Sequence, residues 1–184
     1  MKKLLSILLA TCMLLSFSSC YVFVSRPVEE TTASSINSQT QDENIELSGP
    51  YDVVRVVDGD TIIIDLDGEK TRVRFANVDT PESVATEESG KVNTEEGAIA
   101  SEFTKGLLPE GASVYLEFDV KVMDKYDRVL AYVYLDDKET MIQRILLENG
   151  MAKVFDDYDN TRYTDEFYNI ENQAKSQGIG IWSE

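Results

Sequence analysis

Three carboxylates lie at the ends of two neighbouring β-rich segments. Asp60 begins the first segment, and Asp79 and Glu82 directly follow the second. The turn-forming pair Asp67-Gly68 joins the segments, which predicts an antiparallel meander in which Asp60 and Asp79 lie at the same end of the sheet. Two like charges at short range favour a cation between them. The chain has no histidine and only two cysteines, both within the first 20 residues, so the expected ion is one with oxygen ligands, such as Ca²⁺.

Two arginines extend this set toward phosphate chemistry. Arg74 lies five residues before Asp79, and Arg128 begins a later β-rich segment after a polar loop. Hydrolysis of a phosphodiester builds negative charge on the transition state, and planar guanidinium groups bind such oxygens through paired hydrogen bonds. A divalent ion, the two arginines and Glu82, placed for an attacking water, form a sufficient set for this reaction. Each motif alone is more typical of a turn, and only the complete set indicates catalysis.

The elements expected to position these residues are five strands and about three helices. The predicted strands are Tyr51–Val57, Thr61–Leu66, Lys70–Val78, Ser113–Phe118 and Val129–Leu135. Apolar residues at helical spacing predict helices at about Gly97–Leu108, Glu139–Asn149 and Thr161–Ser176. Because strands and helices do not alternate regularly, the predicted fold class is α+β, a five-stranded, partly open OB-fold barrel with helices closing one side.

The first 49 residues are predicted to lie outside this domain. A basic start and an apolar run end in FSSC, which resembles a bacterial lipobox, so residues 1–19 are expected to be a lipoprotein-type export signal and Cys20 the lipidated residue. An uncleaved membrane anchor over Leu4–Val24 is the alternative. Both interpretations place the domain outside the cytoplasmic membrane, anchored to it or secreted. Residues 20–49 are expected to be a disordered tether, and residues 50–184 a single domain.

The net charge of the chain argues against tight binding of polyanions. There are 17 basic and 34 acidic residues, which gives a net charge of −17. Such a surface repels polyanions, so the composition argues against tight binding of nucleic acid through phosphate neutralisation. An alternative function is therefore a catalytically weak or inactive module that binds a partner at the cell surface.

Five segments in order resemble the thermonuclease family, the staphylococcal-nuclease-like domains. They are VVDGDTI, RVRFANVDTPE, MDKYDRVLAYVY, ENGMAKV and IWSE. The resemblance covers about Tyr51–Glu184 and implies an OB-fold endonuclease that requires Ca²⁺, acts on DNA and RNA, and leaves 3′-phosphate ends. The chain is expected to be a monomer.

The resemblance also implies a role for each candidate residue. Asp60 and Asp79 would be carboxylate ligands of Ca²⁺, and Thr80 would offer its backbone carbonyl. Glu82 would orient or deprotonate the attacking water.

The same resemblance implies phosphate and nucleotide contacts. Arg74 and Arg128 would hold the scissile phosphate, and Arg128 could also assist the leaving oxygen. The positions implied to contact the neighbouring nucleotide are Lys125, Tyr126 and Tyr158. The chain departs from the family pattern at acidic positions close to these, which are Asp127, Asp156 and Asp159.

Overall fold

Within the residues that the structure describes, seven strands form a closed five-stranded barrel and a separate two-stranded sheet. The computed structural model describes residues 45–82, 93–156 and 159–183. The strands are β1 (Ser48–Asp58), β2 (Thr61–Leu66), β3 (Glu69–Phe75), β4 (Val78–Asp79), β5 (Ser113–Glu117), β6 (Val129–Tyr134) and β7 (Lys153–Val154). The barrel order is β1-β2-β3-β6-β5, and β4 pairs with β7.

Three α-helices in the described residues pack around this barrel. They are α1 (Glu95–Leu107), α2 (Ile142–Glu148) and α3 (Thr164–Gln177), followed by a short 3₁₀ helix at Gly180–Trp182. Buried side chains of the barrel form one core with those of α2 and α3, including Phe75, Tyr132, Leu146 and Phe167. The predicted α+β fold with a five-stranded OB-type barrel and three helices is confirmed. Within residues 45–82, 93–156 and 159–183, no helix has the length and apolar character needed to cross a bilayer.

The β2–β3 hairpin fixes the position of the candidate site. Asp67 and Gly68 have φ values of 54° and 88°, as expected for a two-residue turn whose twist matches that of the strands. The resulting register pairs Thr61 with Arg74. The start of β2 and the end of β3 therefore lie side by side, as the meander predicts.

The predicted strand Lys70–Val78 is wrong in its extent, because the chain turns after Phe75. Asn77 adopts a φ of 60°, a left-handed conformation that asparagine tolerates better than most residues. Its buried Nδ2 donates to the Asn160 carbonyl at 2.6 Å, and its Oδ1 accepts from the Tyr132 hydroxyl at 3.3 Å. After this turn the chain leaves the barrel, and β4 pairs with β7. The sequence pattern does not predict β7, which is only two residues long.

Element boundaries differ from the predictions in small ways. β1 begins at Ser48, two residues before the expected start of the domain, because Ser48 pairs with Leu116 on β5. α1 begins before Gly97, since the Thr94 side chain caps it by accepting from the Gly97 N–H at 2.9 Å. The predicted export signal, with Cys20, lies outside the described residues.

Candidate active site

Arg74 joins the two carboxylates that were expected to flank a cation. Its Nη1 lies 2.9 Å from Asp60 Oδ2, and its Nη2 lies 2.8 Å from Asp79 Oδ1. Nη1 also donates to the Val78 carbonyl at 2.7 Å. The side chains of Arg74 and Asp60 are 10% and 7% exposed, whereas that of Asp79 is 43% exposed. The site is therefore closed on the barrel side and open to solvent at Asp79.

Asp60 is held in place by hydrogen bonds from Thr61 and Thr80, in addition to its ion pair with Arg74. The Thr80 N–H and hydroxyl both donate to Asp60 Oδ2, at 2.9 and 3.1 Å, and the Thr61 hydroxyl donates to Oδ1 at 3.1 Å. Thr80 can approach because residue 59 is glycine, where an added Cβ would lie 2.7 Å from Thr80 Oγ1. The Gly59 carbonyl in turn accepts from Thr104 of α1 at 2.7 Å. Asp60 thus does more than complete a turn: its carboxylate is fixed by its neighbours.

The chemistry of these groups fits a hard cation. Both carboxylates turn toward one positive group, the Arg74 guanidinium, and Thr80, which directly follows Asp79, adds a backbone carbonyl. In the part of the chain that the structure describes, no three His, Cys, Asp or Glu side chains converge as a metal site. Remaining ligands would have to be carbonyls and waters, which Ca²⁺ accepts readily.

A third carboxyl group, on Asp58, belongs to this site although its sequence context indicates only a turn. Asp58 Oδ1 accepts from the Asp60 N–H at 3.2 Å. Burial, followed by repulsion from the Asp60 carboxylate, raises the pKa of Asp58 from 3.8 to about 7. Burial and the neighbouring Asp60 carboxylate therefore favour the neutral form of Asp58.

Replacing Asp58 with asparagine is expected to stabilise the protein in chelator at alkaline pH. The unfolded chain loses the Asp58 proton near pH 4 and the folded chain near pH 7, so the contribution of this group is present at low pH and lost as pH rises. At pH 8 the expected gain in the free energy of unfolding is about 1–3 kcal/mol, and at pH 4 it vanishes. Denaturant melts at both values, with the exposed Asp52→Asn change on β1 as control, measure the difference. An equal effect at both pH values would contradict the assignment.

The loop before β6 positions the second arginine. Asp124 Oδ2 accepts from Arg128 Nε at 2.7 Å, and its Oδ1 accepts from the N–H groups of Tyr126 and Arg128 at 2.8 and 3.0 Å. Partial burial opposes ionisation of Asp124, but the hydrogen bonds from Arg128 and Tyr126 outweigh it and lower the pKa. Sequence reasoning missed Asp124, although an aspartate four residues before the candidate arginine was a usable signal.

Arg74 lies on β3, and Arg128 directly precedes the neighbouring strand β6. β3 and β6 are parallel, with Val73 opposite Val129 and Arg74 opposite Leu130. The Arg128 guanidinium donates to Asp124 through Nε, and its two Nη groups take no part in that hydrogen bond.

The positions expected to contact a nucleotide are described in part. Tyr126 is 65% exposed, with Lys125 Nζ 4.9 Å and Arg128 Cζ 5.5 Å from the centre of its ring. Asp127 has a φ of 58°, a conformation that favours glycine. Tyr158 lies outside the described residues.

Glu82 lies two residues beyond Thr80 and is half-buried. Its carbonyl accepts from the Thr94 N–H at 2.9 Å, which links it to the start of α1. The backbone around Glu82 is thus held at two points. The Thr80 N–H donates to the Asp60 carboxylate, and the Glu82 carbonyl accepts from the Thr94 N–H.

Comparisons with known proteins identify the family to which the chain is similar. Residues 72–184 match the model of the family described as staphylococcal nuclease homologue. The chain is 35% identical over 189 residues to the thermonuclease of Staphylococcus hyicus, covering 100% of this chain and 99% of that protein. It is also 43% identical over 131 residues to endonuclease YncB and 42% identical over 131 residues to the SPbeta prophage-derived endonuclease YokF, both of Bacillus subtilis strain 168. Those matches cover 70% of this chain but only 59% and 42% of the two Bacillus proteins.

Proposed function

The chain belongs to the staphylococcal nuclease homologue family, and on that premise we propose that it is an endonuclease that hydrolyses phosphodiester bonds of DNA and RNA with Ca²⁺ as cofactor. One observation carries the proposal: Asp60 of the β1–β2 turn and Asp79 of β4 share the Arg74 guanidinium at one end of the barrel. Burying an arginine between two carboxylates, beside a third on Asp58, costs desolvation energy, and such clusters are typical of functional sites.

Ca²⁺ would be held by the carboxylates of Asp60 and Asp79 and the carbonyl of Thr80. When bound, the ion would supply positive charge that stabilises the transition state of phosphodiester hydrolysis. Thr80 contributes on the protein side as well, because its N–H and hydroxyl keep the Asp60 carboxylate in a fixed orientation.

Arg74 retains donors for a phosphate while it holds the two carboxylates. Nη1 is used by Asp60 and the Val78 carbonyl, and one N–H of Nη2 by Asp79. Nε–H and one N–H of Nη2 remain without a hydrogen-bond partner among the described residues. In our proposal these donors bind oxygens of the scissile phosphate, as arginine favours.

Glu82 and Arg128 complete the proposed reaction. Glu82 takes a proton from the attacking water, and Arg128 directs its Nη groups to the phosphate and the leaving oxygen. Asp124 positions Arg128 through Nε and thereby fixes the plane of the guanidinium. The proposed products carry 3′-phosphate ends.

The proposal extends to location. The lipobox-like FSSC segment supports export and a lipid anchor on Cys20, with residues 20–49 as tether and residues 50–184 as the catalytic domain. Mass analysis of the mature N-terminus tests this directly. A lipid-modified cysteine at residue 20 is expected; an intact Met1 would support the uncleaved anchor instead.

Cleavage of a single-stranded DNA by the full chain, with Ca²⁺ or with a chelator, tests the activity. Cleavage is expected only with Ca²⁺, and polymerase extension of the products is expected only after phosphatase treatment removes the 3′-phosphates. The acidic surface, with a net charge of −17, supports a binding module as the second candidate. Absence of cleavage by folded protein at low ionic strength would favour that candidate.

A further inference from the structure

A lysine outside the proposed catalytic set lies beside the site. Lys153 is exposed on β7, and the β4–β7 register places it opposite Asp79. The two residues, together with Thr80 and Pro81, line a cavity of about 150 Å³. Two of the four lining residues are thus proposed Ca²⁺ ligands, and the cavity adjoins the position expected for the scissile phosphate.

The Lys153 ammonium is held by an aromatic ring. Its Nζ lies 5.3 Å from the centre of the Trp182 ring, within the range of a cation–π interaction. Lys175 Nζ lies 4.5 Å from the same ring. Lys175 also pairs with Glu171 at 2.6 Å. Lys153, in contrast, has no carboxylate within ion-pair distance among the residues that the structure describes.

The charges around the site indicate a role for Lys153 in substrate binding. The chain has 17 basic and 34 acidic residues, so a polyanionic substrate requires local positive charge. Arg74 already pairs with Asp60 and Asp79. Arg128 pairs with Asp124. Lys153 adds an unneutralised ammonium at the mouth of the cavity, on a flexible stem that suits a point contact with phosphate.

We propose that Lys153 binds a backbone phosphate of the nucleic acid next to the scissile one, in the cavity that it shares with Asp79, Thr80 and Pro81. The inference rests on the proposed nuclease function. Trp182 keeps the ammonium at the rim without neutralising it, so the charge is available to the substrate.

Two matched variants of the full chain separate this role from packing on the indole ring. Lys153→Met removes the charge, and its thioether still packs on Trp182. Lys175→Met makes the same change on the same ring, away from the cavity. Cleavage of single-stranded DNA is measured from low to physiological salt. Equilibrium binding is measured by anisotropy with a fluorescent single strand whose phosphorothioate linkages slow hydrolysis.

Lys153→Met is expected to raise KM and Kd about 3–10-fold at low salt. Its kcat is expected to stay within about twofold of the wild-type value. The slope of log Kd against log salt should become shallower by about 0.7. Lys175→Met is expected to match the wild type, and Lys153→Arg to restore binding. Equal salt slopes for the two Met variants would overturn the inference, as would absence of binding by the wild type. If the wild type binds the strand but does not cut it, the nuclease proposal fails, and the salt slopes still decide the role of Lys153.

Discussion

Glu82→Gln is expected to lower kcat by about 10²–10⁴, because the amide cannot take a proton from the attacking water. Glutamine keeps the size and hydrogen-bonding reach of glutamate, and the backbone at this position is fixed by the Thr94 N–H. KM and Ca²⁺ affinity are therefore expected to change little.

The matched control is Glu69→Gln, an exposed change at the start of β3, at the opposite end of the β2–β3 pair from Thr61 and Arg74. It should cleave at the wild-type rate. A Glu82→Gln enzyme with kcat within about threefold of wild type would remove Glu82 from the mechanism, and the water would then have to be activated without it.

The second large effect concerns stability rather than chemistry. Glu117, at the end of β5, is 1% exposed and accepts from the Tyr134 and Tyr163 hydroxyls at 2.6 and 2.9 Å and from Arg162 Nη1 at 2.6 Å. Burial, together with the hydrogen bond to Glu117, raises the pKa of Tyr134, which keeps that hydroxyl neutral and donating. The carboxylate ties β5 and β6 to the residues that precede α3.

Glu117→Gln is expected to lower the free energy of unfolding by about 2–4 kcal/mol. The amide nitrogen of glutamine cannot accept a hydrogen bond, so one buried donor is left unsatisfied. Arg162 also loses its charge partner. Denaturant melts of the full chain measure this, with the exposed Glu148→Gln change on α2 as control. A loss below about 0.5 kcal/mol would show that the network does not hold α3 against the barrel.

Much of the fold follows from local patterns. The Asp67-Gly68 turn fixes the β2–β3 register, and the alternating segments correctly predict the remaining barrel strands. The turn at Asn77 could not be predicted, because RVRFANV is a continuous run typical of one strand. Its left-handed backbone is stabilised by Asn160, which lies 83 residues away in sequence. β7 is equally hidden, since a two-residue strand has no periodicity.

The sequence predicts that Asp60 and Asp79 lie close together, but it does not predict the contacts of the candidate site in detail. The meander places Asp60 and Asp79 together, and both contact one cation. That this cation is the Arg74 guanidinium depends on side-chain reach across two strands, which spacing does not encode. The raised pKa of Asp58 likewise arises from burial and from Asp60, whereas Asp-Gly in sequence indicates only a turn.

Calorimetric titration of the full chain with Ca²⁺ tests most directly whether the carboxylates that share Arg74 form a cation site. The wild type and Asp67→Asn, a control in the exposed β2–β3 turn, are expected to bind one ion per chain. Asp60→Asn and Asp79→Asn are each expected to lose that binding. A wild-type chain that takes up no Ca²⁺, or one whose binding survives both substitutions, would contradict the account.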